Sequence, residues 1–324
     1  MLKKITTAAV AVMLAALTAC GSGGSGDAGS TGAKDDGKIT MGFAQVGAES
    51  GWRTANTKSV QESAGKAGVD LKFSDAQQKQ ENQIKAIRSY IQQKVDVIAF
   101  SPVVETGWDA VLLEAKRANI PVILTDRAVD VDDTSLYKTF LGSDFVLEGK
   151  KAGEWLKENA AGAKNVVELQ GTTGAAPAID RKKGFEDAIA GTDLKIVATQ
   201  TGDFTRSGGK QVMEAFLKSV PQIDVVYAHN DDMGLGAIEA IKAAGKVPGK
   251  DIKIITVDAV KDGMTALAAG EINFIVECNP LLGDQLMELA KKVVAGEEVP
   301  PRVVTEETSF TSEQAKAALP DRKY

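Results

Sequence analysis

The run Ile120–Arg127, IPVILTDR, sets the strongest limit on what this chain can become. Its apolar residues follow one another without polar alternation and end abruptly in an Asp–Arg pair. A short continuous apolar run of this kind reads as a strand buried on both faces, as in a parallel sheet covered by helices. In open α/β sheets, ligands sit in the crevice beyond the carboxyl ends of the strands. Asp126 and Arg127 stand at that rim.

The same grammar repeats along the chain. Strands are expected at Ile39–Gln45, Val69–Asp75 and Val95–Phe100, separated by helices reaching about Lys66, over Gln80–Gln93 and over about Thr106–Asn119. Ile84, Ile87 and Ile91 form one apolar stripe at helical spacing. Strands alternating with helices of this length imply right-handed βαβ units. Tyr137–Gly142 reads as an apolar passage into a second series. That series has helices Asp144–Asn159, about Pro177–Ile189, Thr205–Ser219, Met233–Ala244, a short Gly263–Ala269, and Leu281–Val294. Its strands are Asn165–Gln170, Leu194–Thr201, Val225–His229, Ile252–Val257, Ile272–Glu277 and a last short Arg302–Thr305. At 324 residues the chain has room for two domains, each with its own core. The fold class is α/β, in two similar lobes with a cleft between them.

Composition narrows function. A net charge of −6 argues against a nucleic-acid partner, which needs a basic face. One histidine and two cysteines leave little for a zinc site or a Cys/His dyad, and no Asp-rich calcium loop is present. No metal or cofactor is therefore expected. Lys3 and Lys4 precede an apolar run from Ile5 to Ala19, the pattern of a signal segment rather than a membrane span. It ends Leu17-Thr18-Ala19-Cys20, which resembles a bacterial lipobox, so residues 1–20 read as a lipoprotein signal with Cys20 as the lipidated residue. Residues 21–38 are rich in Gly, Ser and Asp and read as a tether spanning on the order of 20–25 Å. Cys278 then has no partner for a disulfide.

The residues at the strand ends share a chemistry. Glu49, Trp52, Arg53, Asp126, Arg127, Phe204, Asn230, Asp258 and Glu277 are acids, guanidiniums, amides and flat rings, and Arg181 lies in a following helix. An Asp accepts two hydroxyls, and an Arg fork donates to ring and hydroxyl oxygens. Trp52 and Phe204 offer faces for the C–H side of a sugar. Each also has a plain structural reading: Asp126-Arg127 as a surface ion pair, Trp52 and Phe204 as core, one of Asn230-Asp231-Asp232 as a helix cap. His229 reads as a satisfied strand-end histidine rather than a base.

From Ile39 to Tyr324 the sequence resembles the substrate-binding proteins of bacterial ABC sugar importers, in the ribose/galactose-binding class. The resemblance rests on TDR (Thr125–Arg127), AIDRKKGF (Ala178–Phe185), GDFTR (Gly202–Arg206), YAHNDDM (Tyr227–Met233) and VD (Val257-Asp258). QVGAESGWR (Gln45–Arg53), DAQQKQENQIKAIRS (Asp75–Ser89) and VELQGT (Val167–Thr172) are similar to galactofuranose-binding members of the class. It implies two Rossmann-like lobes of the type I periplasmic binding protein kind, residues 39–140 with 279–305 and residues 141–278 with 306–324. Three crossings would fall near Thr139–Gly142, Ile275–Pro280 and Thr305–Phe310. It also implies that Glu49, Trp52, Arg53, Asp126 and Arg127 from the first lobe, and Arg181, Phe204, Asn230 and Asp258 from the second, contact a monosaccharide. Glu277 stands where the family often has Gln or Asn. The function implied is a monomeric, non-enzymatic carrier, exported or periplasmic and held at the outer face of the cell membrane by its lipid alone. It would deliver sugar to an ABC permease with its ATPase. Another sugar (galactopyranose, arabinose or ribose) and a sensory role are the alternatives. A repressor of this fold would carry a DNA-binding helix-turn-helix where the signal segment lies. A glycosidase would need two carboxylates free to flank a scissile bond.

Overall fold

The computed structural model describes residues 37–324. The signal segment, Cys20 and the tether through residue 36 lie outside the described residues. In chain order, β1 (Thr40–Gln45), α1 (Gly51–Ala67), β2 (Asp70–Asp75), α2 (Gln80–Gln93), β3 (Val97–Phe100), α3 (Asp109–Arg117), β4 (Val122–Thr125) and β5 (Thr139–Gly142) build the first lobe. The second follows with α4 (Phe145–Asn159), β6 (Asn165–Gln170), α5 (Ala176–Ile189), β7 (Lys195–Thr201), α6 (Arg206–Ser219), β8 (Val225–Ala228), α7 (Asp231–Ala243), β9 (Lys253–Asp258), α8 (Lys261–Ala268) and β10 (Phe274–Glu277). The chain then returns through α9 (Gly283–Val294) and β11 (Arg302–Val304) to the first lobe, and ends in β12 (Ser309–Phe310) and α10 (Ser312–Ala318) on the second.

The first sheet runs β11-β5-β4-β3-β1-β2 and the second β12-β10-β9-β8-β6-β7. Every strand pair is parallel except β10 with β12. Each sheet buries one apolar layer per face. The first is covered by Val60, Leu286 and Met287 on one side and by Ile87, Trp108 and Leu112 on the other. The central strands are thus sandwiched between two helix layers, which is why they read as unbroken apolar runs.

One segment departs from the sequence reading. Thr139–Gly142, expected as a crossing, is β5, hydrogen-bonded between β4 and β11 in the first sheet. A one-turn helix at Thr134–Leu136 replaces the full helix that normally announces a strand, which hid it. The first crossing is therefore residues 143–144, and the others are residues 278–282 and 305–308. The antiparallel β12 and α10 carried no strong pattern and were not foreseen.

Candidate functional site

The carboxyl ends of both sheets converge on one small cavity. Glu49, Trp52, Arg53, Asp126, Arg127, Arg181, Phe204, Asn230 and Asp258 line it together with Ser50, Pro177 and Cys278. The nine expected residues, remote in sequence, are brought together. Glu277 is not among them: its carboxylate turns to Arg322 and Tyr324, accepting from Arg322 Nη1 at 2.8 Å and Tyr324 Oη at 2.9 Å. Alternation along β10 puts the next residue, Cys278, toward the cavity instead. Ser50 and Pro177 sat beside predicted residues but are too common in helix starts to be singled out.

Local backbone explains the placement. Ser50 caps α1 by accepting from Arg53 N, which begins the helix with Trp52 and Arg53 at its mouth. Asp126 has φ +64°, and Arg127 N donates to Thr125 O at 2.7 Å, a γ-turn of the rare positive-φ kind. That turn aims two consecutive side chains at the same space. Asn230 caps α7 through Oδ1 to Met233 N, while Nδ2 donates to Phe204 O at 3.0 Å. Asn230 thus both caps α7 and lines the cavity. Phe204 lies against Gly171, where a Cβ would meet the ring at 1.9 Å, so only glycine leaves room for the ring there. Gly149 and Gly184 play a similar part between α4 and α5: a Cβ on either would meet the other helix's backbone at about 2 Å. Their absence of side chains lets Arg181 reach Glu148.

Three carboxylates (Glu49, Asp126, Asp258) face three guanidiniums (Arg53, Arg127, Arg181). The guanidiniums are not equivalent. Arg53 is saturated: Nε to Glu49 at 3.0 Å, Nη2 to Asp126 at 2.7 Å and Nη1 to Gln45 at 3.1 Å. Although burial alone would lower its pKa, Asp126 and Glu49 raise it further above the ordinary range. Arg181 donates to Glu148 and to His229 O, each at 2.6 Å, and its pKa too is raised despite burial. Arg127 is the exception. Its best partner is Val103 O at 3.3 Å, its carboxylates lie at 3.7 Å, and Nε makes no hydrogen bond. Burial and the repulsion of Arg53 push its pKa down to about 10. Glu49 Oε2, also buried, is likewise unpartnered.

The lobes already touch around this space. Gly51 N donates to Asp232 at 2.7 Å, Trp52 Nε1 to Cys278 O at 2.7 Å, and the Arg127 guanidinium lies 5.2 Å from the Phe204 ring centre. Trp52, from the first lobe, packs among Tyr227, Val257 and Val260 of the second. This is a closed arrangement.

His229 is buried, bonded to Glu168 through Nε2 at 3.1 Å, and belongs to the fold rather than the cavity. Burial opposes the charge on Glu168, but His229, Thr199 and Lys182 hold its pKa down to about 2. Burial lowers that of His229. Both directions remove stability in acid: unfolded histidine gains a proton below about 6.5, and unfolded Glu gains one below about 4.3, before their folded counterparts do. The stability contributed by this pair, read from urea midpoints, should therefore fall from pH 7 to pH 3. Glu168→Gln should flatten the part below about pH 4.3; an unchanged slope there would refute this assignment.

A model of the periplasmic binding protein domain matches residues 41–298, so the chain belongs to that family. Among its relatives, the galactofuranose-binding protein YtfQ of Escherichia coli is 50% identical over 291 residues, covering 88% of this chain and 92% of that protein. A protein from Mycobacterium smegmatis solved in complex with β-D-fucofuranose is 69% identical, with TM-score 0.87 over 88% of this chain and 95% of that one. The periplasmic component of an arabinose ABC transporter from a Shewanella species, bound to α- and β-L-arabinofuranose, is 50% identical, with TM-score 0.85 over 88% and 96%.

Proposed function

We propose that this protein is the sugar-binding component of an ABC importer, enclosing one neutral furanose monosaccharide, galactofuranose or a close relative, between its lobes. The observation that carries the reading is the pair of buried orphans, Glu49 Oε2 and Arg127 Nε, in a cavity whose formal charges balance. One needs a donor and the other an acceptor, and unpaired polar groups at such depth are costly. A sugar hydroxyl is both donor and acceptor, and adds no charge to upset the balance. Asp126, Asp258, Arg181 and Asn230 take further hydroxyls in this reading, with Trp52 and Phe204 against the ring's C–H faces. The furanose form rests on the ligands named for the relatives.

Binding begins in an open form, and closure is driven by contacts that only the closed lobes make. The closed protein then presents the sugar to a membrane permease powered by its ATPase, and acts as a monomer with no chemistry of its own. The signal-like residues 1–20, the Cys20 lipobox pattern and the polar residues 21–38 support export and a lipid anchor at the outer face of the membrane. Among the described residues, no helix is long and apolar enough to cross a membrane.

A thermal-shift screen tests the function. D-Galactose, D-fucose and L-arabinose, which supply furanoses by mutarotation, should raise the melting temperature, as mass action requires of any ligand that binds only the folded state. No shift with any aldose, against a shift with an anion or amino acid, would overturn the reading.

A further inference from the structure

Asp258 and Ala259 follow one another with φ +122° and +65°, a conformation non-glycine residues rarely adopt. Such strain, of order 1–3 kcal/mol per residue, persists only where the surroundings over-determine it. Three bonds do so here. Cys278 N donates to Asp258 O at 3.2 Å, Val260 N donates to Asp231 Oδ2 at 2.8 Å, and Arg322 Nε donates to Ala259 O at 2.7 Å. The first two partners, just past β10 and at the start of α7, belong to the second lobe. The third comes from the segment after α10 and touches nothing in the cavity.

Arg322 is itself held on every side. Nη1 meets Glu277 at 2.8 Å, Nη2 meets the Tyr324 hydroxyl, and Tyr324 Oη donates to Glu277 at 2.9 Å. Its guanidinium lies 4.1 Å from the Tyr324 ring centre and 5.2 Å from that of Phe310. Glu277 Oε2 in turn accepts from Thr308 N at 3.1 Å in the third crossing. A planar fork with all three nitrogens committed fixes the direction of its Nε–H bond far better than an ammonium could. The elaborate surroundings of Arg322 thus end in one bond to the backbone beside a cavity residue.

We propose that Arg322, seated by Glu277 and Tyr324, is a positioning residue that holds the Asp258–Ala259 turn and so aims the Asp258 carboxylate at the sugar. This rests on the reading that Asp258 is a sugar contact. It also gives Glu277 a part in binding without contact: the carboxylate expected at the ligand instead anchors the group that shapes the site.

The test is a double-mutant cycle read by calorimetry with L-arabinose and D-galactose on the full chain. Arg322→Met should weaken binding by about tenfold or more, with Tyr324→Phe as a milder variant that keeps the ring. In an Asp258→Asn background, Arg322→Met should cause little further loss, because the two act through one group. Additive losses, or a loss matched by an equal fall in ligand-free melting temperature for Tyr324→Phe as well, would show a merely structural role and overturn the proposal. Unchanged affinity in Asp258→Asn alone would instead overturn the sugar-contact reading beneath it.

Discussion

Replacing Arg127 with alanine should abolish measurable sugar binding while leaving the ligand-free fold nearly as stable as before. The asymmetry follows from its partners. Within the protein Arg127 makes one bond, to Val103 O at 3.3 Å, and its charge lies 3.7 Å from Glu49 and Asp126. Both carboxylates already have Arg53 at bonding distance. Removing Arg127 therefore breaks a single hydrogen bond within the protein, and relieves its repulsion with Arg53 and Arg181, which with burial holds its pKa down to about 10. Binding is different. In the proposed complex, two charge-assisted bonds from the fork to hydroxyl oxygens would contribute about 1.5–3 kcal/mol each. Their joint loss weakens affinity by roughly two to four orders of magnitude. Calorimetry with paired urea denaturation checks both halves. Unchanged affinity would remove Arg127 from the site; a large stability loss would show that its role is structural.

Arg181→Ala should behave in the opposite way, losing the fold along with the ligand. Arg181 is bonded to Glu148 Oε2 and His229 O, each at 2.6 Å, with both partners buried. Removing one member of a buried, hydrogen-bonded pair costs about 3–5 kcal/mol, because its buried partners are left unsatisfied. Burial, aided by Glu307, pushes the Glu148 carboxyl up to about 8 even against Arg181. Without the guanidinium it holds its proton more tightly still. Below about pH 8 Glu148 keeps its proton in both folded proteins, so the deficit of the variant should widen as pH rises above about 8. Adding Glu148→Gln should restore much of the stability but none of the sugar affinity. If the double variant is no more stable than Arg181→Ala, the buried pair does not explain the loss.

These contrasts show what the sequence could and could not display. Parallel strands buried on both faces announce themselves as apolar runs, and their carboxyl ends define a rim. Listing the polar residues there gathers Glu49, Arg53, Asp126, Arg127, Asn230 and Asp258 before any coordinates. Side-chain direction is less visible. Glu277 and Cys278 differ by one position and therefore by one face of a strand, and chemistry alone favoured the wrong neighbour. The internal partners of each guanidinium are invisible too. Glu148 lies in the first turn of α4, where an acid is unremarkable, yet it decides that Arg181 is tightly paired within the fold while Arg127 is not. β5 was hidden because a single helical turn precedes it.

Calorimetric titration with furanose-forming sugars beside ring-locked ones bears most directly on the proposal that a neutral furanose completes this charge-balanced cavity. D-Galactose, D-fucose or L-arabinose should bind with one-to-one stoichiometry, and methyl pyranosides and galacturonate should release no heat of binding. Tight binding of galacturonate, or of a methyl pyranoside in preference to every free aldose, would contradict it.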